Sequence, residues 1–186
     1  MTGHAFLAVD LTDEERHALS ASLADANPGR SMPGKRTRPQ NWHVTLRFLG
    51  PCSDFQAETL LHELDEAIEK SAGAVSATGL GAFPRPSRAG VVYSRIRDES
   101  LLLDMLAGRC EDAAREIGFA ADERPFVPHI TLSRLRPAQD LRKEIESFAP
   151  FSVRIAVEYV TLFRTRHSRD GISYESMGQI DLAAAR

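Results

Sequence analysis

The sequence predicts an α+β fold: two similar β-α-β-α-β units, with antiparallel sheets about a pseudo-twofold axis and a cleft between two lobes. Three observations lead there. Strand-like and helix-like segments alternate along 186 residues, a length suited to a single domain spanning 1–186. Two short pieces, Trp42-His43-Val44-Thr45-Leu46 and Pro128-His129-Ile130-Thr131-Leu132, are nearly the same word, with His129 lying 86 positions after His43. The same offset carries Phe6 onto Val92 and Thr12 onto Asp98, so strand starts and helix caps recur too. Identity between the halves, about 1–88 and 89–186, is low outside the His-x-Thr strands.

The elements follow in order. Ala5 to Leu11 reads as a buried strand. Thr12 with Glu15 forms a capping box that opens a helix with an apolar stripe of Ala18, Leu19, Leu23 and Ala26, ended by Asn27-Pro28-Gly29. Residues 30–40 read as a Gly/Pro/basic loop. The strand Trp42 to Leu49 follows, closed by Gly50-Pro51. Ser53 with Gln56 is a second capping box, and Phe55, Leu60, Leu61, Leu64 and Ile68 recur at helical spacing until Gly73. A weak strand spans 75–83, and 84–90 is a turn-rich connector. Val91 to Ile96 is a strand, Asp98 caps a helix with a stripe from Leu101 to Ile117, and Gly118 stops it. After the second His-x-Thr strand, Pro137 to Phe148 reads as a helix, Val153 to Phe163 as one strand, 164–171 as a turn and Ile172 to Leu182 as the last strand.

Composition narrows the function classes. The chain is 42% hydrophobic and 26% charged with net charge −3, which argues against a broad electrostatic footprint on duplex nucleic acid. No apolar run approaches the roughly 20 residues that span a bilayer, and the start lacks a basic leader, so a soluble, cytoplasmic protein is expected; with no oligomer signal in the sequence, a monomer is the default expectation. Cys52 and Cys110 belong to no cluster and read as reduced thiols. Basic residues crowd two loops, Arg30, Lys35, Arg36 and Arg38 in one, Arg164, Arg166 and Arg169 in the other; a small anion or an RNA end suits them.

In a strand, residues i and i+2 share a face. His43 with Thr45, and His129 with Thr131, therefore emerge side by side, backed by Val44, Leu46, Ile130 and Leu132. Two imidazoles on opposite sides of a phosphorus supply a base and an acid, and in-line displacement places attacking and leaving oxygens on those opposite sides. Threonine hydroxyls, stiffened by the β-branch, donate to non-bridging oxygens. The pattern calls for no metal or other cofactor: no His-x-x-x-His pair or acidic cluster lies near either motif. The same parity puts Arg47 and Ser133 on the catalytic face and Phe48 on the core face. His4, His17 and His62 read as structural, and His167 lies in a basic hairpin loop.

With these residues the chain resembles the 2H phosphoesterases, and within them the bacterial RNA 2′,3′-cyclic phosphodiesterases, also called 2′-5′ RNA ligase-like. The resemblance rests on Phe6-Leu7-Ala8-Val9-Asp10, Asn41 to Gly50, Gly81-Ala82-Phe83-Pro84 and Pro125 to Arg134. It implies a bilobal fold and metal-independent hydrolysis of an RNA terminal 2′,3′-cyclic phosphate to a 2′-phosphate. It also implies His43 as proton donor to the leaving 3′ oxygen, His129 as the acceptor that activates water, and Thr45, Thr131 and Arg134 on the phosphate. Arg134 has the wrong parity in a regular strand and needs a bulge, a strand end or a bent side chain. Partners would be RNA ends or cyclic nucleotides. Two alternatives stay open: ligation of a 2′,3′-cyclic end to a 5′-hydroxyl, and an RNA-end-binding module without catalysis.

Overall fold

The computed structural model describes residues 3–169 and 171–183; Met1 and Thr2 of the expected leaderless start, Asp170 of the expected turn and residues 184–186 lie outside them. Strand β1 (Gly3–Asp10) leads into helix α1 (Asp13–Asp25), then β2 (Lys35–Arg36), a 3-10 turn at Pro39–Asn41, β3 (His43–Cys52), α2 (Asp54–Ala67) and β4 (Gly73–Phe83). The chain continues through β5 (Ala89–Arg97), α3 (Leu102–Glu116), β6 (His129–Gln139), α4 (Arg142–Glu146), β7 (Ser152–Val157), β8 (Tyr159–Ser168) and β9 (Gly171–Asp181).

Both capping boxes form. Thr12 Oγ1 accepts from Glu15 N at 3.2 Å while Thr12 N donates to the Glu15 carboxylate at 2.8 Å. The other Glu15 oxygen accepts from Ala156 N at 2.6 Å, so the cap also ties α1 to β7. Ser53 and Gln56 repeat the reciprocal pair at α2. Asp98 caps α3 from a distance: it accepts from Leu103 N at 2.7 Å, and Leu101 turns left-handed (φ 58) to open the helix. Gly118, at φ 94, ends α3 with Phe119 N bonding back to Ala114 O.

The strands form one curled antiparallel sheet in the order β7-β4-β5-β6-β3-β1-β8-β9, with β2 added on β6. Its two lobes, β6-β5-β4-β7 and β3-β1-β8-β9, exchange strands: β4 lies with the strands that follow it, while β8 and β9 return to flank β1. They meet at one backbone pair, Val44 with Ile130. One face carries the main core, in which Leu7, Val44, Ile130, Ile155 and Leu162 pack with Leu60 and Leu64 of α2 and Leu103 and Leu106 of α3. Each such side chain contributes about 1.5–3 kcal/mol by leaving water. Cys52 and Cys110 are separate buried thiols in that core. The opposite face carries a small cluster of Phe6, Ala8, Phe163 and Tyr174.

Several boundaries differ from the sequence reading. The expected strand Val153–Phe163 is two strands broken at Glu158, one at the β7 edge of the sheet and the other between β1 and β9 in the opposite lobe. The expected helix from Pro137 shrinks to five residues because β6 runs on to Gln139, which pairs with Ala89. Gly50 and Pro51 do not close β3; Gly50 adopts φ 74 and still pairs with Ala5. Helix α2 stops at Ala67, well before Gly73. The basic loop 30–40 contains β2 and the 3-10 turn.

Two bulges matter most. Ala8 pairs with Thr45 and Leu7 with Arg47, leaving Leu46 as an extra residue in β3. Tyr93 pairs with Thr131 and Val92 with Ser133, leaving Leu132 extra in β6. Each bulge reverses the parity after it. Arg47 therefore turns into the core, 6% exposed, ion-paired with Glu111 of α3 and bonded to the carbonyl of Ala120. Ser133 is fully buried. The expectation that Arg47 and Ser133 face the catalytic cleft is thus corrected. Phe48, expected in the core, stands 46% exposed.

Arg47→Ala strands the Glu111 carboxylate, which keeps 24% side-chain exposure. Its expected effect is a loss of about 2 kcal/mol of unfolding free energy, somewhat under the cost for a fully buried pair. Urea unfolding of the two proteins measures it.

Candidate active site

The Val44–Ile130 pair sets the site. Antiparallel register around it places His43 opposite Thr131 and Thr45 opposite His129 across the junction. The structure thus brings the four motif residues together where the lobes meet.

His43 is held from several sides. Its Nδ1 bonds to the Asn41 carbonyl at 2.9 Å and its Nε2 lies 3.0 Å from Thr45 Oγ1. A neutral ring therefore carries its proton on Nδ1, and Nε2 accepts from the threonine. Phe6 lies against the ring at 4.7 Å between centroids, and Tyr174 meets it edge-on at 5.1 Å. The turn that presents the Asn41 carbonyl is itself anchored. Arg16 Nε donates to Pro39 O at 3.1 Å and its guanidinium pairs with Asp10 at 2.5 Å. Asn41 Nδ2 donates to Ile172 O at 2.8 Å, tying the turn to the β8–β9 hairpin.

His129 repeats the arrangement in the other lobe. Its Nδ1 bonds to Val127 O at 2.7 Å, and its Nε2 makes no hydrogen bond among the described residues. Phe83 and Tyr93 flank the ring at 5.0 and 5.2 Å.

Burial dominates the titration of both rings. It lowers His43 from the ordinary imidazole value to about 4, against the Asn41 bond, which favours the charged form; the charges of His129 and Arg134 lower it further. Burial also lowers His129, with the Arg134 charge adding to it. The charge of a protonated His129 adds to the burial that lowers His43.

The Arg134 charge lowers His43, His129 and Tyr174, and its side chain is exposed on the strand that carries His129. The Leu132 bulge supplies the turn of parity that this residue needed. Phe48 holds the equivalent place across the pseudo-twofold, since Phe6 pairs with Phe48 as Val91 pairs with Arg134. Arg124 lies over the Phe48 ring at 5.6 Å and is steadied by Asp122 at 2.7 Å.

The second basic group does not reach the cleft as a cluster. Arg164 is buried against Asp54 at 2.6 Å, Arg166 pairs with Glu175, and His167 is exposed on β8. Sequence reasoning missed Phe6, Phe83, Tyr93 and Tyr174 as walls of the site, because each aromatic reaches its histidine only through strand pairing. Among the described residues no three His, Cys, Asp or Glu side chains gather as a metal site, and no helix is long and apolar enough to cross a membrane.

The lowered pKa of His43 carries a stability consequence. The unfolded chain takes up a proton near 6.5 that the folded ring resists until about 4. Stability present above pH 6.5 is therefore lost as pH falls towards 4. Denaturation midpoints across that range should fall in the wild type, with a shallower slope in His43→Asn.

The family model described as LigT like Phosphoesterase matches residues 9–93 and 98–174. A Geobacillus stearothermophilus protein named RNA 2′,3′-cyclic phosphodiesterase is 29% identical over 188 residues, covering 98% of this chain and 58% of its own length. The chain thus spans little more than half of that relative. One of the same name from Aeropyrum pernix is 28% identical, over 89% of this chain and 96% of its own. The crystal structure of E. coli LigT complexed with 3′-AMP superposes with TM-score 0.80 at 26% identity over the whole of both chains. The Thermus thermophilus protein TT0787 gives 0.78 at 25% identity, over 98% of this chain and 100% of that one.

Proposed function

The chain belongs to the LigT-like phosphoesterases, and from that premise we propose that it hydrolyses the 2′,3′-cyclic phosphate at an RNA end to a 2′-phosphate, without a metal. The observation that carries this reading is the paired geometry: two imidazoles, each fixed through Nδ1 to a backbone carbonyl, on strands joined at Val44–Ile130. The relatives' shared name supports the substrate class.

The cyclic phosphate enters between the imidazoles, beside Thr45, Thr131 and Arg134. Its negative charge opposes the effect of burial and brings a proton onto His43. His43 Nε2 then donates that proton to the departing 3′ oxygen as the 3′ O–P bond breaks. Neutral His129 takes a proton through Nε2 from the water whose oxygen bonds to phosphorus. Thr45 and Thr131 donate to the non-bridging oxygens, and the Arg134 guanidinium offsets the charge that builds there. The exposed ring of Phe48, backed by Arg124, offers the base a stacking face.

The test is an oligonucleotide ending in 2′,3′-cyclic phosphate, incubated in EDTA. A 2′-phosphate product is expected, with a bell-shaped dependence of kcat/KM on pH and a loss of about 10²–10⁴-fold in kcat for His43→Ala and for His129→Ala. Full activity in either variant overturns the reading. A joined product on adding a 5′-hydroxyl strand would assign ligation instead. Phe48→Ala should weaken binding of the nucleotide by about 1–3 kcal/mol, as read from the Kd of the 2′-phosphate product.

A further inference from the structure

Strand β2 is two residues long, yet it is built tightly onto the site. Lys35 pairs with Arg134 and Arg36 with Ser133, and Thr37 N donates to the carbonyl of Leu132 at 2.8 Å. Leu132 is the bulged residue that turns Arg134 towards the cleft. The strap therefore gives the bulged residue's carbonyl a backbone donor. Gly34 makes the approach possible: it sits at φ +83, and a Cβ there would lie 2.6 Å from Arg134 O.

Directly paired residues in a sheet share a face. Lys35 thus shares a face with Arg134, and Arg36 with buried Ser133, while both side chains of the strap are exposed. Lys35 is exposed and makes no ion pair among the described residues. A cation held next to the phosphate-binding arginine, on a strap fixed by its backbone, is placed for a second phosphate of the same strand.

Resting on the reading of the cleft as an RNA-end phosphodiesterase site, we propose that Lys35 binds the internucleotide phosphate preceding the cyclic end. The site then prefers an oligonucleotide terminus to a free mononucleotide. One contact of this kind adds one phosphate to the electrostatic footprint and leaves the in-line chemistry to the residues of the cleft.

The experiment measures Kd by calorimetry for a dinucleotide and a mononucleotide, each ending in 2′-phosphate, with wild type, Lys35→Gln and Lys35→Arg. Wild type should bind the dinucleotide more tightly. Lys35→Gln should cut that preference by about tenfold, the scale of one hydrogen bond to a charged group, and Lys35→Arg should keep most of it. The slope of log Kd against log salt for the dinucleotide should shrink by about 0.7 in Lys35→Gln, one phosphate contact on a single strand. An unchanged preference in Lys35→Gln overturns the proposal. Equal weakening for both ligands does so too, because Lys35 then acts on the terminal phosphate or through the strap. These Kd values do not depend on turnover, so a failure here is separable from a failure to hydrolyse the cyclic end.

Discussion

The molecule turns on one backbone pairing, Val44 with Ile130. Two four-stranded lobes meet there and nowhere else along β3 and β6. A longer ladder would make a continuous sheet with no cleft between its central strands. A missing pair would leave two histidines with no fixed relation. One pair is enough to fix register and little enough to let the strands part, and the side chains at that crossing become a site.

The bulges complete the division of labour along each central strand. Before them, the residues at i and i+2 serve the cleft; after them, the faces change over. In β3 the change sends Arg47 to Glu111 and the α3 side, and brings Phe48 out beside Phe6. In β6 it buries Ser133 and brings out Arg134. The same device at equivalent positions thus yields an aromatic on one side of the cleft and a cation on the other. The lobes share a backbone plan, and their side chains break its symmetry.

Burial sets the chemical state of the site. The aromatic walls of Phe6 and Tyr174 remove water from His43 and hold it neutral, while the Asn41 carbonyl fixes which nitrogen carries the proton. Orientation comes from the backbone, and the neutral state comes from burial. The turn that delivers Asn41 depends on Arg16, Asp10 and the β8–β9 hairpin, so distant segments of the chain converge on one imidazole.

Local chemistry was legible in the sequence. The Thr12 and Ser53 capping boxes, the stop at Gly118 and the contact of His43 with Thr45 depend on residues within a turn or two of one another, and all are present in the structure. Whatever depended on a partner strand was not. The extra residues at Leu46 and Leu132 exist only relative to β1 and β5, so parity alone misplaced Arg47, Ser133 and Phe48. The break at Glu158 has no glycine or proline to mark it, and what splits the run is that β7 pairs with β4 while β8 pairs with β1. The order of residues was enough to specify the two His-x-Thr words and the backbone units that carry them. Which neighbours those words acquire was settled by strand pairing in three dimensions, because hydrogen-bond register between strands is a property of two segments and is written in neither.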